Sequence, residues 1–309
     1  MSKDQEVQSD ILIHSALRGN SYDIYLPWFK SIAFRTQSLR YNHTDAEAPS
    51  PAQEYLVSAR CQRNDPESEN SIEMYLADTG LTTLSFMGEE DIEKSDTISL
   101  PKGPSLELEL GQALAQRRSI RNFTGDVIGL DYLSTILRAG NGISAEATVP
   151  LMTGGEVKMN YRTSPSAGGL YPIEIYMGVI NVKGLNKGIY RYHPKTDSLV
   201  KVIQNASSVD ALLNSCALPE ETLPCSRANV IFLLIARPWK TMRKYGNRGL
   251  KFVYQEAGAI SQNIHLAVGS LGLGSVDCAG FYDQDIHKII NIDGINQALI
   301  HAIVLGVPG

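Results

Sequence analysis

The chain has 309 residues, 43% of them hydrophobic, with 28 basic and 33 acidic side chains and a net charge of −5. That is enough apolar material for one large domain or two small ones, and it excludes disorder over most of the length. The acidic balance does not favour nucleic acid as the main partner, and the basic residues that do cluster are too few and too local for a phosphate-tracking stripe.

The N-terminus, MSKDQEVQSD, is polar and carries no apolar core of a signal peptide. No apolar run reaches the length of a membrane span, so a reducing, cytoplasmic setting is expected. Cys61, Cys216, Cys225 and Cys278 form no CxxC pair and have no His at ligand spacing. That argues against zinc, and a disulfide framework is not expected in a chain this long. Up to residue 97, apolar segments (ILIHSAL, YLPWF, YLVSA) alternate with polar stretches, and 42–53 and 61–71 read as loops. LPKGPS (100–105), with two prolines and a glycine, marks a boundary. Residues 1–97 are therefore assigned to an N-terminal region that engages substrate or partner or packs a dimer. Residues 98–309 are assigned to a catalytic domain.

From residue 105 the pattern sharpens. SLELELGQALAQRRS predicts a helix capped by Ser105, with Leu106, Leu110 and Leu114 on one face. It runs into RRSIRNF (117–123), where Arg117, Arg118, Arg121 and the Ser119 hydroxyl fall within five residues. At helical spacing Arg117 and Arg121 share a face. Guanidinium forks suit a phosphate or a pyrimidine-dione edge. The plainer reading is a solvated basic helix end, where cations are favoured.

LDYLSTILRAG (130–140) is a second helix, ended by Gly140, and 141–163 reads as a polar loop over a pocket. SPSAGGLYP (164–172) reads as a turn opening a short helix, capped by Ser164 with Pro165 at the first helical position. Ser166, Ala167, Gly168 and Gly169 carry almost no side chain, so a flat ring can approach their backbone. Amides at a helix start are donors for an electron-rich heterocycle. The plainer reading is an ordinary loop before the strand at 173–182.

A hairpin (188–202), a short helix (208–216), a buried strand (229–238) and the longest helix (248–272) follow. That helix spans roughly 34 Å at about 1.5 Å per residue. It carries Phe252, Glu256, Ile260, Ile264, Ala267 and Leu271 on one stripe. Its small residues, Ala257 to Ala259 and Ser261, allow close helix packing of the kind found at subunit interfaces. GSLGLGS (269–275) has three glycines, but they follow a helix and precede a strand, which rejects a dinucleotide fingerprint. SVDCAGF is a strand, DQDIHKIINI a helix and ALIHAIVLGV a final strand. Without strict βαβ alternation the class is α+β, a mixed sheet flanked by helices.

In this order, LPKG, RRSIRNF, RTSPSAGGLYPIEIY, GIYRYHP, KYGNRG, YQEAG and LGLGS resemble the nitroreductase superfamily. Within it they resemble the SagB-type branch, the azoline dehydrogenases of thiazole/oxazole peptide biosynthesis. The resemblance covers about 98–309. It implies an α+β flavoprotein fold, a homodimer with FMN at the subunit interface, and a cytoplasmic enzyme. By position it implies that Arg117, Arg118, Ser119 and Arg121 hold the FMN phosphate and polar ring edge. Pro165, Ser166, Ala167, Gly168, Gly169, Ala279 and Gly280 would border the isoalloxazine. The branch's catalytic Lys-Tyr pair falls on Lys244 and Tyr245. Ala259 stands where the branch often has a His, which alters the proton path but not the flavin. The plainer reading of KYG is an exposed basic loop.

Both Tyr and Lys start near pKa 10, so a base at neutral pH needs a perturbed value, and the Lys244 charge is expected to favour the Tyr245 phenolate. His193, His265, His287, His301 and Cys278 read as structural. The function implied is an FMN-dependent oxidation of thiazoline or oxazoline rings in a modified peptide or carrier-bound intermediate, with a cyclodehydratase complex as partner. Two alternatives stay open: an NAD(P)H-dependent nitro or quinone reductase, and a flavin-free scaffold of a peptide-modifying complex.

Overall fold

A computed structural model describes residues 51–60, 66–78, 80, 82–83, 97–151 and 154–309. The chain divides into two units, Met1–Asp65 and Pro66–Gly309. In the first unit the described segment is helix α1 (Pro51–Ser58). The second unit begins with helix α2 (Pro66–Ala77), well before the boundary expected near residue 98. Both helices lie partly in the stretches 42–53 and 61–71 that read as loops, and the remainder of those stretches lies outside the described residues.

Seven strands form the main sheet in the order β1-β8-β7-β5-β9-β11-β10. They are β1 (Thr97–Ser99), β5 (Ile173–Val179), β7 (Gly188–His193), β8 (Ser198–Ile203), β9 (Val230–Ala236), β10 (Gly274–Asp277) and β11 (Ala298–Gly306). The expected mixed sheet takes a particular form. All neighbours in this sheet are antiparallel, and the parallel component is a separate pair, β2 (Ile128–Gly129) with β6 (Val182–Lys183). The segment read as a polar loop over a pocket is a hairpin, β3 (Ile143–Pro150) with β4 (Glu156–Arg162).

Strand side chains alternate between faces, and both faces of this sheet are covered. On one face Ile173, Ile175, Phe232 and Leu234 pack with Leu133, Ile136, Val253, Ile260 and Ile264. These helical partners come from α4 (Leu130–Asn141) and α7 (Gly249–Ser270). On the other face Ile231, Leu233 and Ile235 pack with Val209 and Leu212 of α5 (Ala206–Asn214) and Ile286 and Ile290 of α8 (Asp283–Ile290). Double coverage explains why β9 reads VIFLLIA with no polar position: every residue of it is buried.

Helix α3 (Leu110–Gln116) is shorter than the expected helix at its N-terminal side, and Leu106, Leu110 and Leu114 are exposed. Helix α6 (Pro238–Tyr245) was not anticipated, although Pro238 stands at its first turn as proline prefers.

Helix α7 crosses α4 at Gly140, where an added Cβ would lie 2.8 Å from Cγ1 of Ile264. Alanine normally favours a helix interior by about 1 kcal/mol over glycine. Here overpacking of about 1–3 kcal/mol opposes that gain. Gly140→Ala is expected to lower stability in urea denaturation, and Ile264→Val in the same chain to recover part of the loss.

Candidate functional site

The small-residue segment forms a tight turn ahead of β5. Ser164 is buried and donates to Oδ1 of Asn141 at 2.8 Å, so it anchors the segment to α4 instead of capping a helix. The only helical residues are a single 3₁₀ turn, Ala167–Gly169, preceded by Ser166. Gly168 and Gly169 both have φ +66°, and Tyr171 has φ +45°. A left-handed residue with a Cβ costs about 1–2 kcal/mol. Local bonds hold Tyr171 there. Its N–H donates to Oγ of Ser166 at 2.9 Å, its hydroxyl accepts from the Arg162 N–H at 3.0 Å, and the Arg162 guanidinium lies 4.8 Å from its ring centroid.

Lys244 and Tyr245 end α6 and are half-buried, in place of the exposed loop of the plainer reading. They come directly to the turn: a Cβ on Gly168 would lie 2.7 Å from the Tyr245 hydroxyl and 3.1 Å from the Lys244 amine. Glycine is therefore required there twice over, by its backbone angle and by the two side chains resting on it. Helix α2 walls the other side. Ser71 donates to the Lys244 carbonyl at 3.0 Å, and the Lys244 amine lies 5.2 Å from the Tyr75 ring centroid. Tyr245 meets Phe252 of α7 edge to face, centroids 5.1 Å apart.

Burial decides the electrostatics of this pair. Desolvation lowers the Lys244 pKa. Desolvation, then the neighbouring Tyr75, raises that of Tyr245, against a smaller opposing effect of Arg248. The expectation that Lys244 would favour a Tyr245 phenolate is thus reversed. The neutral form is favoured for both groups, so the amine is more often free to accept a proton and the phenol keeps its own.

The residue that sequence reasoning missed is Glu256. It sits on the apolar stripe of α7, only 2% exposed. Burial pushes its carboxyl up to about 7, against hydrogen bonds from Ser166 and the Ile173 N–H and the charges of Arg162 and Lys240. Among the described residues its Oε1 has no hydrogen-bond partner. Helical spacing marked this position as core, and the one signal in the sequence was a carboxylate on an otherwise apolar stripe.

The arginine cluster lies elsewhere. Helix α3 stops at Gln116, Arg117 is already non-helical, and so Arg117 and Arg121 do not share a helical face. The chain instead runs beside β10, with Ser119 bridged to Ser275 and the Ile120 N–H donating to the Ser275 carbonyl at 3.0 Å. Arg118 donates to the carbonyls of Ala115 and Arg117 at 2.9 and 2.8 Å, which is the plain helix-end role for a cation. Arg117 and Arg118 line a cavity of about 270 Å³ together with His265, Gly269, Gly272 and Ser275. Ser119 and Arg121 are exposed.

Ala279 and Gly280 follow β10 as irregular chain, where the expected strand has already ended at Asp277. Ala279 is exposed, and the Gly280 carbonyl accepts from the Ala217 N–H at 2.6 Å. Within one protomer the two parts of the expected site therefore stand at different points along α7. Ser166 is at Glu256, and Arg117 shares a cavity with His265 nine residues on, roughly 14 Å by helical rise.

Between them lies a polar cluster. Oδ1 of Asp277 accepts from Ser261 Oγ at 2.7 Å, His265 Nε2 at 2.9 Å and His301 Nε2 at 2.6 Å. Burial raises this carboxyl, but the three donors outweigh it and hold the group far below the usual carboxylate range. His265 and His301 are thereby tied to Asp277, and His193 bonds Thr196 within the β7–β8 hairpin.

A family model described as the nitroreductase family matches residues 114–307. A Methanocaldococcus jannaschii protein named as a nitroreductase is 33% identical over 197 residues, 64% of this chain and 91% of that protein. The microcin B17-processing protein McbC of Escherichia coli is 29% identical over 144 residues, 45% of this chain and 50% of its own length. This chain thus matches half of that relative. In the solved E. coli microcin synthetase McbBCD complex with truncated pro-MccB17 bound, one chain shares the fold at a TM-score of 0.51 and 18% identity. The match covers 93% of this chain and 97% of that one.

Glu256 generates a stability prediction. Its folded pKa, about 7, lies above the ordinary value of 4.5. The folded form therefore binds its proton more tightly, and the associated stability is present below pH 4.5 and lost as pH rises through 7. The full span corresponds to about 3 kcal/mol. Denaturant unfolding of the wild type minus that of Glu256→Gln is expected to show this slope between pH 5 and 8, because the amide does not titrate.

Proposed function

The chain belongs to the nitroreductase family, and on that premise we propose that it is an FMN-dependent dehydrogenase. It oxidises thiazoline or oxazoline rings, in a peptide or a carrier-bound intermediate, to thiazole or oxazole. One observation carries the reading: the Lys244 amine and the Tyr245 hydroxyl converge on Gly168, in a turn with almost no side chains for a flat ring to meet. The relative named for processing microcin B17 supports a peptide substrate.

The residues fit the cofactor. Arg117 and Arg121 make no ion pair among the described residues, and with Ser119 they would hold the phosphate. Arg118 would join them on releasing its helix-end carbonyls. Pro165, Ser166, Ala167, Gly168 and Gly169, together with Ala279 and Gly280, would border the ring. The distance along α7 between the arginine cavity and the turn supports a homodimer, with each flavin shared at the subunit interface. When bound, FMN supplies the hydride acceptor.

The protein's own part is the proton. Aromatising an azoline removes two hydrogens, one as hydride and one as a proton from a ring carbon. A base must lie within hydrogen-bond reach of that carbon. Lys244, its amine made less basic by burial, takes this proton. Tyr245, whose proton burial retains, donates to the ring heteroatom and orients it. Helix α2 keeps water from the amine through Tyr75. A cyclodehydratase that forms the azoline is the natural partner, and the setting is cytoplasmic.

A second reading is an NAD(P)H-dependent nitro or quinone reductase, favoured by the name of the archaeal relative. The flavin-free scaffold has no comparable support.

Purified protein is expected to be yellow and to release FMN on heating, and Arg121→Ala to weaken retention by about 1.5–3 kcal/mol. On a synthetic peptide bearing one thiazoline, Lys244→Ala and Tyr245→Phe are expected to keep FMN while losing about 10²–10⁴-fold in turnover. Rapid NAD(P)H oxidation without azoline oxidation would select the reductase. Colourless protein that cannot be reconstituted would select the scaffold.

A further inference from the structure

We propose that Cys216 and Cys225 form a redox-active thiol pair, oxidised to a disulfide by hydrogen peroxide, whose closure acts on the segment 279–282. That this segment borders a flavin rests on the reading given above; the pairing of the thiols does not.

The two sulfurs are already in contact. The Cys225 thiol donates to the Cys216 Sγ at 3.8 Å. A disulfide bond is about 2.05 Å long, so closure needs a movement of roughly 1.8 Å. Both sulfurs are carried on fixed backbone. The Cys216 N–H donates to the Leu213 carbonyl at 3.1 Å at the end of α5, and Cys216 is bridged to Phe281. The Cys225 N–H donates to the Leu223 carbonyl at 2.7 Å, and Cys225 opens a 3₁₀ turn, Cys225–Arg227. Between them the chain folds back at Pro219, whose carbonyl accepts the N–H groups of Thr222 and Leu223 at 2.9 and 3.0 Å. A short loop fastened in this way keeps the two thiols within reach of each other.

Packing alone accounts for one buried cysteine. It does not account for a second, partly open to solvent, placed at the first one's sulfur. Cys225 is 1% exposed, whereas Cys216 is half-buried. That asymmetry assigns the steps. Burial raises the Cys225 pKa, and the neighbouring Cys216 adds to the effect, so Cys225 keeps its proton. Cys216 is the sulfur that a small oxidant reaches. It attacks one peroxide oxygen, the O–O bond breaks, and a sulfenic acid forms as water leaves. Cys225 then attacks the Cys216 sulfur. The S–S bond forms, the S–O bond breaks, and the departing hydroxide takes the Cys225 proton as a second water. Two thiols lose two electrons, and one hydrogen peroxide becomes two waters.

The backbone carries the closure to the neighbouring segment. The Gly280 carbonyl accepts from the Ala217 N–H at 2.6 Å, and the Ser215 carbonyl accepts from the Tyr282 N–H at 2.8 Å. Gly280 also faces Leu218, whose Cγ would lie 3.1 Å from an added Cβ. Residues 215–218 and 280–282 thus form a short antiparallel strip with Cys216 in its middle. Drawing the Cys216 sulfur toward Cys225 pulls on this strip, and so on Gly280.

The test exposes the full chain, with its flavin, to hydrogen peroxide, blocks the remaining thiols with N-ethylmaleimide and counts them by mass. Of the four cysteines, two are expected to escape labelling after oxidation, and dithiothreitol to restore all four. A peptide map is expected to show Cys216 joined to Cys225. Backbone hydrogen exchange in 279–282 is expected to change on oxidation and to return with dithiothreitol. Cys225→Ser is expected to abolish both the pairing and the exchange response. If that variant does not fold, Cys216→Ser, at the less buried position, takes its place. A disulfide from Cys216 to Cys61 or Cys278, or oxidation without any disulfide, overturns the proposal. So does a complete Cys216–Cys225 disulfide that leaves exchange in 279–282 unchanged. If the purified protein holds no flavin but the pairing and the exchange response appear, the flavoprotein reading fails and the redox pair stands.

Discussion

Helix α7 lies so close to α4 and the sheet that it cannot shift independently of them. At Gly140 the two helices leave no room for a methyl group beside Ile264. Val253, Ile260 and Ile264 are sealed against β5 and β9. A 22-residue helix fixed this way acts as a ruler. Its first half carries Glu256 to the glycine turn, and its second half carries His265 to the cavity lined by Arg117. Between these, Ser261 bonds Asp277 at the end of β10. The separation of Glu256 and His265 therefore follows from the packing of the helix that carries both.

Carboxyls near this helix show how little residue type determines behaviour. Asp277 accepts three hydrogen bonds on one oxygen and remains ionised far into acid. Glu256, more deeply buried and with one oxygen unpartnered among the described residues, is driven the other way. Glu174 on β5 is also buried, but it is paired with Arg191 and Arg237, each at 3.1 Å. Donor number and desolvation set the outcome. The same balance governs Lys244 and Tyr245, where proximity of an ammonium to a phenol was expected to win and burial of both wins instead.

Much of the fold was legible in the chain because it depends on period. The runs that became β5, β9 and β11 are mostly apolar on both faces, and α7 shows a 3.6-residue stripe interrupted by Glu256. Other elements were hidden by contacts distant in sequence. Leu106, Leu110 and Leu114 have helical spacing, yet the face they mark is exposed, and the chain after Gln116 leaves the helix to bridge Ser275. The β3–β4 hairpin is largely solvated on both sides, so its residues looked like a polar loop. Helix α6, PWKTMRKY, has few apolar residues to reveal it. In the site, the motif pointed to Lys244, Tyr245 and Gly168 separately, and only the folded chain places them in contact. Glu256 was visible as a stripe position, but its protonation depends on neighbours that no local pattern discloses.

Ser71 and Tyr75 reach Lys244 from a helix that lies about 170 residues earlier in the chain and outside the segment matched by the family model. The surroundings of the amine are thus set in part by a stretch of sequence far from the Lys244–Tyr245 pair. A change at Tyr75 or Ser71 can therefore alter the burial, and with it the basicity, of Lys244 without touching the helix that carries it.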